Sequence, residues 1–193
     1  ILLRIPVHGL GLLVTFLPRS WEMALGRAGG RAARFIDRKR ARIAHENISR
    51  CLPELGPAGW DALVRENFEH YGVLILELCH MFSPLPSHWR AYVERTVRVE
   101  GLEHWEKAHA RGKGELFVST HIANWEFNAA IGAIKGMPVL IVTRNLKPRW
   151  LHLWMEKVRL TTGVRAAYQP RTMPTVMRQV RDGGGVVFVM DQY

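Results

Sequence analysis

His121 and Glu126 stand five residues apart in the segment Ser119-Thr120-His121-Ile122-Ala123-Asn124-Trp125-Glu126, directly after the apolar run Leu116-Phe117-Val118. An imidazole and a carboxylate are the parts of a general base. A hydrogen bond from one ring nitrogen to the carboxylate fixes the tautomer, leaves the other nitrogen free to take a proton, and stabilises the imidazolium that forms. On one continuous helix, residues five apart point about 140° away from each other, so the pairing needs a bend. A strand ending near Thr120, a loop carrying His121 and a helix capped by Asn124 supply one. Glu126 then falls in the first helical turn, where negative charge is favoured. The competing reading is a surface-loop histidine beside a helix-capping acid, in a chain with nine histidines.

The elements that would position this pair are visible as four apolar runs, 116–119, 139–143, 164–167 and 186–190, which begin at intervals of 22 to 25 residues. Segments long enough for helices separate them, which predicts an α/β fold with a mixed, largely parallel sheet and flanking helices. Runs without polar alternation imply that both sheet faces are covered, and ligands in such sheets gather beyond the carboxyl ends of the strands. His121, Arg144 and Asp191 all fall at such ends. Arg144, and Arg159 in the following helix, carry the planar fork that suits phosphate or carboxylate, or they are surface ion-pair residues. Asp191 binds substrate, holds an arginine or caps a turn. Ser119 lies on the same strand face as His121 and is the candidate nucleophile of a hydrolytic alternative, although no G-x-S-x-G elbow surrounds it.

Around this core, a helix is predicted over 60–82, a short strand over 93–99 and a helix over 102–110. A further helix over 148–161 has Trp150, Leu151, Trp154, Met155 and Val158 on one side, either as core or as the wall of a ligand groove. His152 and Glu156, four apart, form a surface pair; with no third ligand in view, no metal site is predicted. Cys51 and Cys79 have neither metal nor disulfide spacing and read as packing cysteines of a reducing compartment.

The N-terminal part differs in character. Residues 5–17 are apolar apart from His8, but about 13 residues fall short of the ~20 needed to cross a bilayer. The residues that follow offer no small-residue cleavage site, so the segment reads as a membrane-seated or truncated anchor helix, or else as a core helix. Residues 1–50 hold ten Lys or Arg against Glu22, Asp37 and Glu46, a local +7 within a whole-chain +10. A basic helix after an apolar one attracts anionic lipid head groups. Nucleic acid is disfavoured as a partner, because aromatics do not interleave with the basic cluster and no nucleic-acid module is recognisable. The chain divides into a helical membrane-associated segment, 1–58, and an α/β domain, 59–193.

The segment His121-Ile122-Ala123-Asn124-Trp125-Glu126 resembles the H-x4-D/E box of the lysophospholipid-type acyltransferases, closest to the lipid A biosynthesis branch with its H-F-x-N-W-E form. Other matches follow in chain order: Arg38-Lys39-Arg40, then Asn47 and Cys51-Leu52-Pro53-Glu54, then Glu77, Thr143-Arg144-Asn145, Arg159, and Met190-Asp191-Gln192 in place of a P-D-Q strand end. The chain stops where the family continues, so it looks like a C-terminally truncated piece. The resemblance implies a membrane-associated O-acyltransferase at the cytoplasmic face of a bacterial inner membrane, with His121 and Glu126 catalytic and Asn124, Arg144, Arg159 and Asp191 at the substrate. It implies no cofactor. Acyl carrier protein or coenzyme A would bring the thioester, and a phosphorylated glycolipid, either a lipid A precursor or a relative such as a phosphatidylinositol mannoside, would supply the hydroxyl. A Ser-His hydrolase and a non-catalytic basic membrane-binding protein are the readings from other classes.

Overall fold

The computed structural model describes residues 4–170 and 172–191. They fold as α1 (Arg4–Thr15), α2 (Arg19–Ile36), α3 (Arg38–Cys51), α4 (Gly56–Cys79), α5 (His88–Thr96), α6 (Leu102–His109), β1 (Glu115–Ser119), α7 (Trp125–Ile134), β2 (Val139–Thr143), α8 (Arg149–Thr162), β3 (Arg165–Tyr168), α9 (Thr172–Arg181) and β4 (Gly185–Val189). Single 3-10 turns, Pro53–Leu55 and His80–Phe82, bracket α4.

The four strands form one sheet in the order β1-β4-β2-β3, and every described pairing is parallel. The expected mixed character is therefore absent among the described residues. Each strand follows a helix, which is the connection a parallel pair requires. Leu140, Ala167, Val176 and Val186 form one core cluster between the sheet and α9. A second cluster, on the side of α5, α7 and α8, joins Met81, Trp89, Tyr92, Val93, Phe127, Ile131 and Val158.

The strand expected over 93–99 is an α-helix through Thr96. Trp89, Tyr92 and Val93 explain the difference: spaced as one helical face, all three bury against Met81 and Phe127, and that tertiary gain outweighs the β propensity of Val93, Val97 and Val99. Cys51, expected to pack, is exposed at the end of α3, while Cys79 is half-buried. Trp154, Met155 and Val158 of α8 do pack on the second cluster, and the Trp154 indole N–H donates to the Met81 carbonyl at 2.8 Å.

The N-terminal helices are packed against α4. Glycines bring α2 and α4 into backbone contact: a Cβ at Gly30 would stand 2.1 Å from the Phe68 carbonyl oxygen, and one at Gly72 would stand 2.0 Å from that of Gly26. Among the described residues no helix is long and apolar enough to cross a membrane.

Candidate active site

Parallel pairing of β1 with β4 sets Ser119 opposite Val189, and the Met190 N–H continues the ladder to the Ser119 carbonyl at 3.1 Å. Two residues beyond that pair on each strand lie His121 and Asp191. The register thus brings together two side chains 70 residues apart. The His121 backbone N–H donates to Asp191 Oδ2 at 2.8 Å, and the ring Nδ1 lies 2.7 Å from Oδ1. A carboxylate only accepts, so the proton of the neutral ring sits on Nδ1 and the basic lone pair on Nε2. The His121 backbone N–H, together with the ring, holds the Asp191 carboxyl below its ordinary pKa, so it is ionised at neutral pH. The Trp125 ring meets the imidazole edge-on with centroids 5.2 Å apart.

The loop that carries His121 is closed by Ala123, which sits in the left-handed region with φ 55°, and by Asn124, whose side chain accepts from the Phe127 N–H as the N-cap of α7. A non-glycine residue with positive φ costs on the order of 1 kcal/mol, so the surroundings impose this turn. Asn124 is buried, and its amide also donates to Glu77 Oε2 at 3.1 Å. The other Glu77 oxygen accepts from Arg19 of α2 at 2.5 Å. Arg19 further donates to the Tyr92 hydroxyl at 3.0 Å, and that hydroxyl donates to Glu22 at 2.7 Å. Burial would raise the Glu22 pKa, but the His80 ring 3.5 Å away, the Tyr92 hydroxyl and the Arg19 guanidinium outweigh it and hold the carboxyl at about 2.

Glu126, expected against the His121 ring, is instead buried in a two-bond ion pair with Arg159: Nε to Oε2 at 3.0 Å and Nη2 to Oε1 at 2.5 Å. Burial would lower the Arg159 pKa, yet the Glu126 hydrogen bond raises it above the ordinary value. Arg159, expected at the substrate, is thereby committed to Glu126, and Asn124, expected there too, is committed to the α7 cap and Glu77. Arg144 is exposed. His121, Trp125, Glu126, Arg144 and Arg159 all line one cavity of about 700 Å³, whose apolar wall includes Phe117, Ile141 and Val187. That volume lies within the range of sites for drug-sized ligands.

Chemically, the cavity presents a basic imidazole nitrogen, the Arg144 guanidinium, which has no ion-pair partner among the described residues, an apolar wall and the amino end of α7, with its amide donors and positive dipole end. Sequence reasoning missed Arg19, Glu22 and Tyr92, and also the partner of Glu77. The available signal was a carboxylate within the apolar stripe Leu74, Leu78 of the 60–82 helix, since such groups are buried only when paired.

Over residues 4–193 the chain matches the family described as bacterial lipid A biosynthesis acyltransferase. Among curated proteins it is 28% identical over 151 residues to the lipid A biosynthesis lauroyltransferase of Escherichia coli, covering 76% of this chain and 48% of that protein. It is 24% identical over 188 residues to the lipid A biosynthesis palmitoleoyltransferase of Escherichia coli, covering 95% of this chain and 59% of that one. A lipid A biosynthesis acyltransferase of Shigella flexneri matches to the same extent as the latter. The chain spans about half the length of these relatives. With the match running through every described element of the fold, the chain belongs to the bacterial lipid A biosynthesis acyltransferase family.

Proposed function

We propose that this chain carries the catalytic centre of a membrane-associated O-acyltransferase, which moves a fatty acyl group from an acyl-carrier-protein thioester to a hydroxyl of a lipid A precursor at the cytoplasmic face of a bacterial inner membrane. The observation that carries the reading is the His121 imidazole, fixed through Nδ1 by Asp191 at the mouth of a cavity that joins an apolar wall to the Arg144 cation. His121 Nε2 takes the proton of the acceptor hydroxyl as its oxygen attacks the thioester carbonyl. The tetrahedral oxyanion lies against the first backbone amides of α7, and its collapse expels the donor thiolate, which recovers the proton from the imidazolium. Ester and free thiol are the products, with no acyl-enzyme and no cofactor. Asp191 orients the base. The buried Glu126–Arg159 pair lines the same cavity, and Arg144 meets a phosphate of the acceptor.

The test assays the full-length protein for transfer of labelled acyl groups from acyl carrier protein, and from coenzyme A, to lipid A precursor and to other glycolipids. Transfer from acyl carrier protein that disappears in His121→Ala and survives Ser119→Ala is the expected result. Preference for coenzyme A with another glycolipid would reassign donor and acceptor. Release of free fatty acid that requires Ser119 would replace the transferase with a hydrolase.

A further inference from the structure

A second cavity, of about 930 Å³, opens between α1, α2, α3 and α4 and shares no lining residue with the active-site cavity. Its walls are apolar: Leu13, Leu17, Leu25, Phe68, Tyr71 and Ile75 surround it, and its charged lining residues are Asp37 and Arg40, where α2 meets α3. Several walls stand open to solvent, with Leu13 72%, Leu25 52% and Ile75 59% exposed, and Phe16, in the turn that follows α1, is 73% exposed. Exposed apolar surface on this scale marks a contact with lipid or protein.

Glycine placement explains why the groove is open. Gly26, Gly30 and Gly72 are used up in the α2–α4 contact, whereas a Cβ added at Gly29, which also lines the groove, would meet no atom within 4 Å. Among the described residues, none comes within 4 Å of where a Gly29 Cβ would stand.

Charge selects the occupant. Arg40 lines the groove, the exposed Arg38 and Lys39 stand in the chain between the lining residues Asp37 and Arg40, and the exposed Arg42 lies two residues beyond. Arg40 pairs with Asp37, and Arg42 faces Glu46 at 3.6 Å, but among the described residues neither Arg38 nor Lys39 has an ion-pair partner. An apolar trough beside cations that have no ion-pair partner among the described residues fits an amphiphile with an apolar tail and an anionic head. Polar groups that could register a peptide backbone are scarce in the lining, where Asn67 and the Tyr71 hydroxyl join Asp37 and Arg40. The 12 residues of α1 would extend about 18 Å, short of the ~30 Å hydrocarbon core, so contact with a bilayer would be made along its surface.

We propose that this groove seats one acyl chain of an anionic phospholipid, with Arg38 and Lys39 on its head group, and so docks the α1–α4 helices on the membrane. The proposal deepens the membrane placement stated above and is independent of the acyl-transfer chemistry. The decisive variant is Gly29→Leu. It fills the groove from a helix position where replacing glycine favours folding, so loss of binding is not loss of structure.

The probe is phosphatidylglycerol bearing a photoactivatable group on its acyl chain, in phosphatidylcholine vesicles, with the full-length protein. Cross-links should map to groove residues such as Leu25, Phe68 and Ile75 and vanish in Gly29→Leu. The variant's vesicle affinity should fall about tenfold, what exclusion of roughly two methylenes would cause. Arg38→Ser and Lys39→Ser should each weaken binding to phosphatidylglycerol vesicles about fivefold without affecting pure phosphatidylcholine. Acyl transfer to detergent-dispersed substrate should persist in Gly29→Leu, which separates the groove from the chemistry. Cross-links on other elements, cross-links that persist in Gly29→Leu, or a dimer in solution that Gly29→Leu abolishes would each overturn the proposal. A parent protein that binds no anionic vesicle would overturn it together with the membrane placement, whatever the transferase assay returned.

Discussion

The buried Glu126–Arg159 pair and the half-exposed His121–Asp191 pair predict opposite phenotypes for two carboxylates of one site. Side-chain exposure is 7% for Glu126 and 9% for Arg159, and two hydrogen bonds join them. At an effective dielectric of about 20, unit charges ~4 Å apart attract by about 4 kcal/mol, and removing one partner of such a pair strands the other, costing about 3–5 kcal/mol. For a domain of this size each kcal/mol moves Tm by about 2–4 °C, so Glu126→Ala and Arg159→Met should each lower Tm by about 6–20 °C. The double variant Glu126→Met/Arg159→Met leaves no stranded charge and should recover most of that loss. Asp191→Asn removes no buried charge and should leave Tm nearly unchanged while lowering kcat about 10²–10⁴-fold, because the ring loses its enforced tautomer. Thermal unfolding by circular dichroism, paired with acyl-transfer kinetics well below each variant's Tm, reads both quantities. The reasoning fails if Glu126→Gln keeps the parent Tm yet shifts the acidic limb of the kcat/KM profile, while Asp191→Asn shifts neither rate nor profile. Glu126 would then be the group that governs the ring.

Asn124→Ala should destabilise the fold by about 2–4 kcal/mol, combining a lost helix cap with a Glu77 oxygen left short of a donor, and denaturant melts should show Asn124→Ser, which keeps the cap alone, in between. Acid stability should fall in two stages. Burial, aided by His80 and Arg95, depresses the His88 pKa to about 4, below its unfolded value near 6.5, so its contribution is complete above about pH 6.5 and is lost as pH falls toward 4. Glu22, held at about 2, likewise contributes above about pH 4.5 and loses that contribution between 4.5 and 2. A Tm that stays flat from about pH 7 to 4.5, or a His88→Phe variant with an unchanged upper stage, would contradict this assignment. Gly72→Ala, whose methyl would meet the Gly26 carbonyl oxygen at 2.0 Å, should cost about 1–3 kcal/mol or more by calorimetry, whereas Gly29→Ala should be neutral or stabilising.

How much of this was legible in the sequence divides by chain separation. The four strands lie within a residue or so of the apolar runs, and α8 lies within one residue of 148–161, because the boundaries are set locally by glycines and prolines such as Gly114, Pro148 and Gly163. The cap at Asn124 was likewise a local matter, decided by side-chain chemistry at a helix start. Partners were not local. Asp191 was recognisable as a polar group at a strand end, but its pairing with His121 depends on β4 inserting beside β1, a fact of strand order that no window of sequence contains. Glu126 was read against its nearest histidine, and its partner Arg159 lies 33 residues on, in α8. The strand expected over 93–99 failed in the same way, since the burial that favours a helix there comes from Phe127 and Met81.

The buried network changes what the N-terminal helices are. A detachable anchor would meet the rest of the protein through apolar surface alone. Here α2 contributes Arg19 and Glu22, and the groups they satisfy are Glu77, Tyr92 and, through Glu77, the Asn124 amide that caps the helix following His121. If α2 left, Glu77 would be an unpaired carboxylate beside Asn124, and the Tyr92 hydroxyl would lose both its donor and its acceptor within the core. Such buried losses cost about 1–3 kcal/mol for a neutral group and more for a charge, enough to loosen the loop that aims the imidazole. The surface that would rest on the bilayer and the loop that would hold the base are thus one hydrogen-bonded unit. Glu77 joins them, with one carboxylate oxygen on each side.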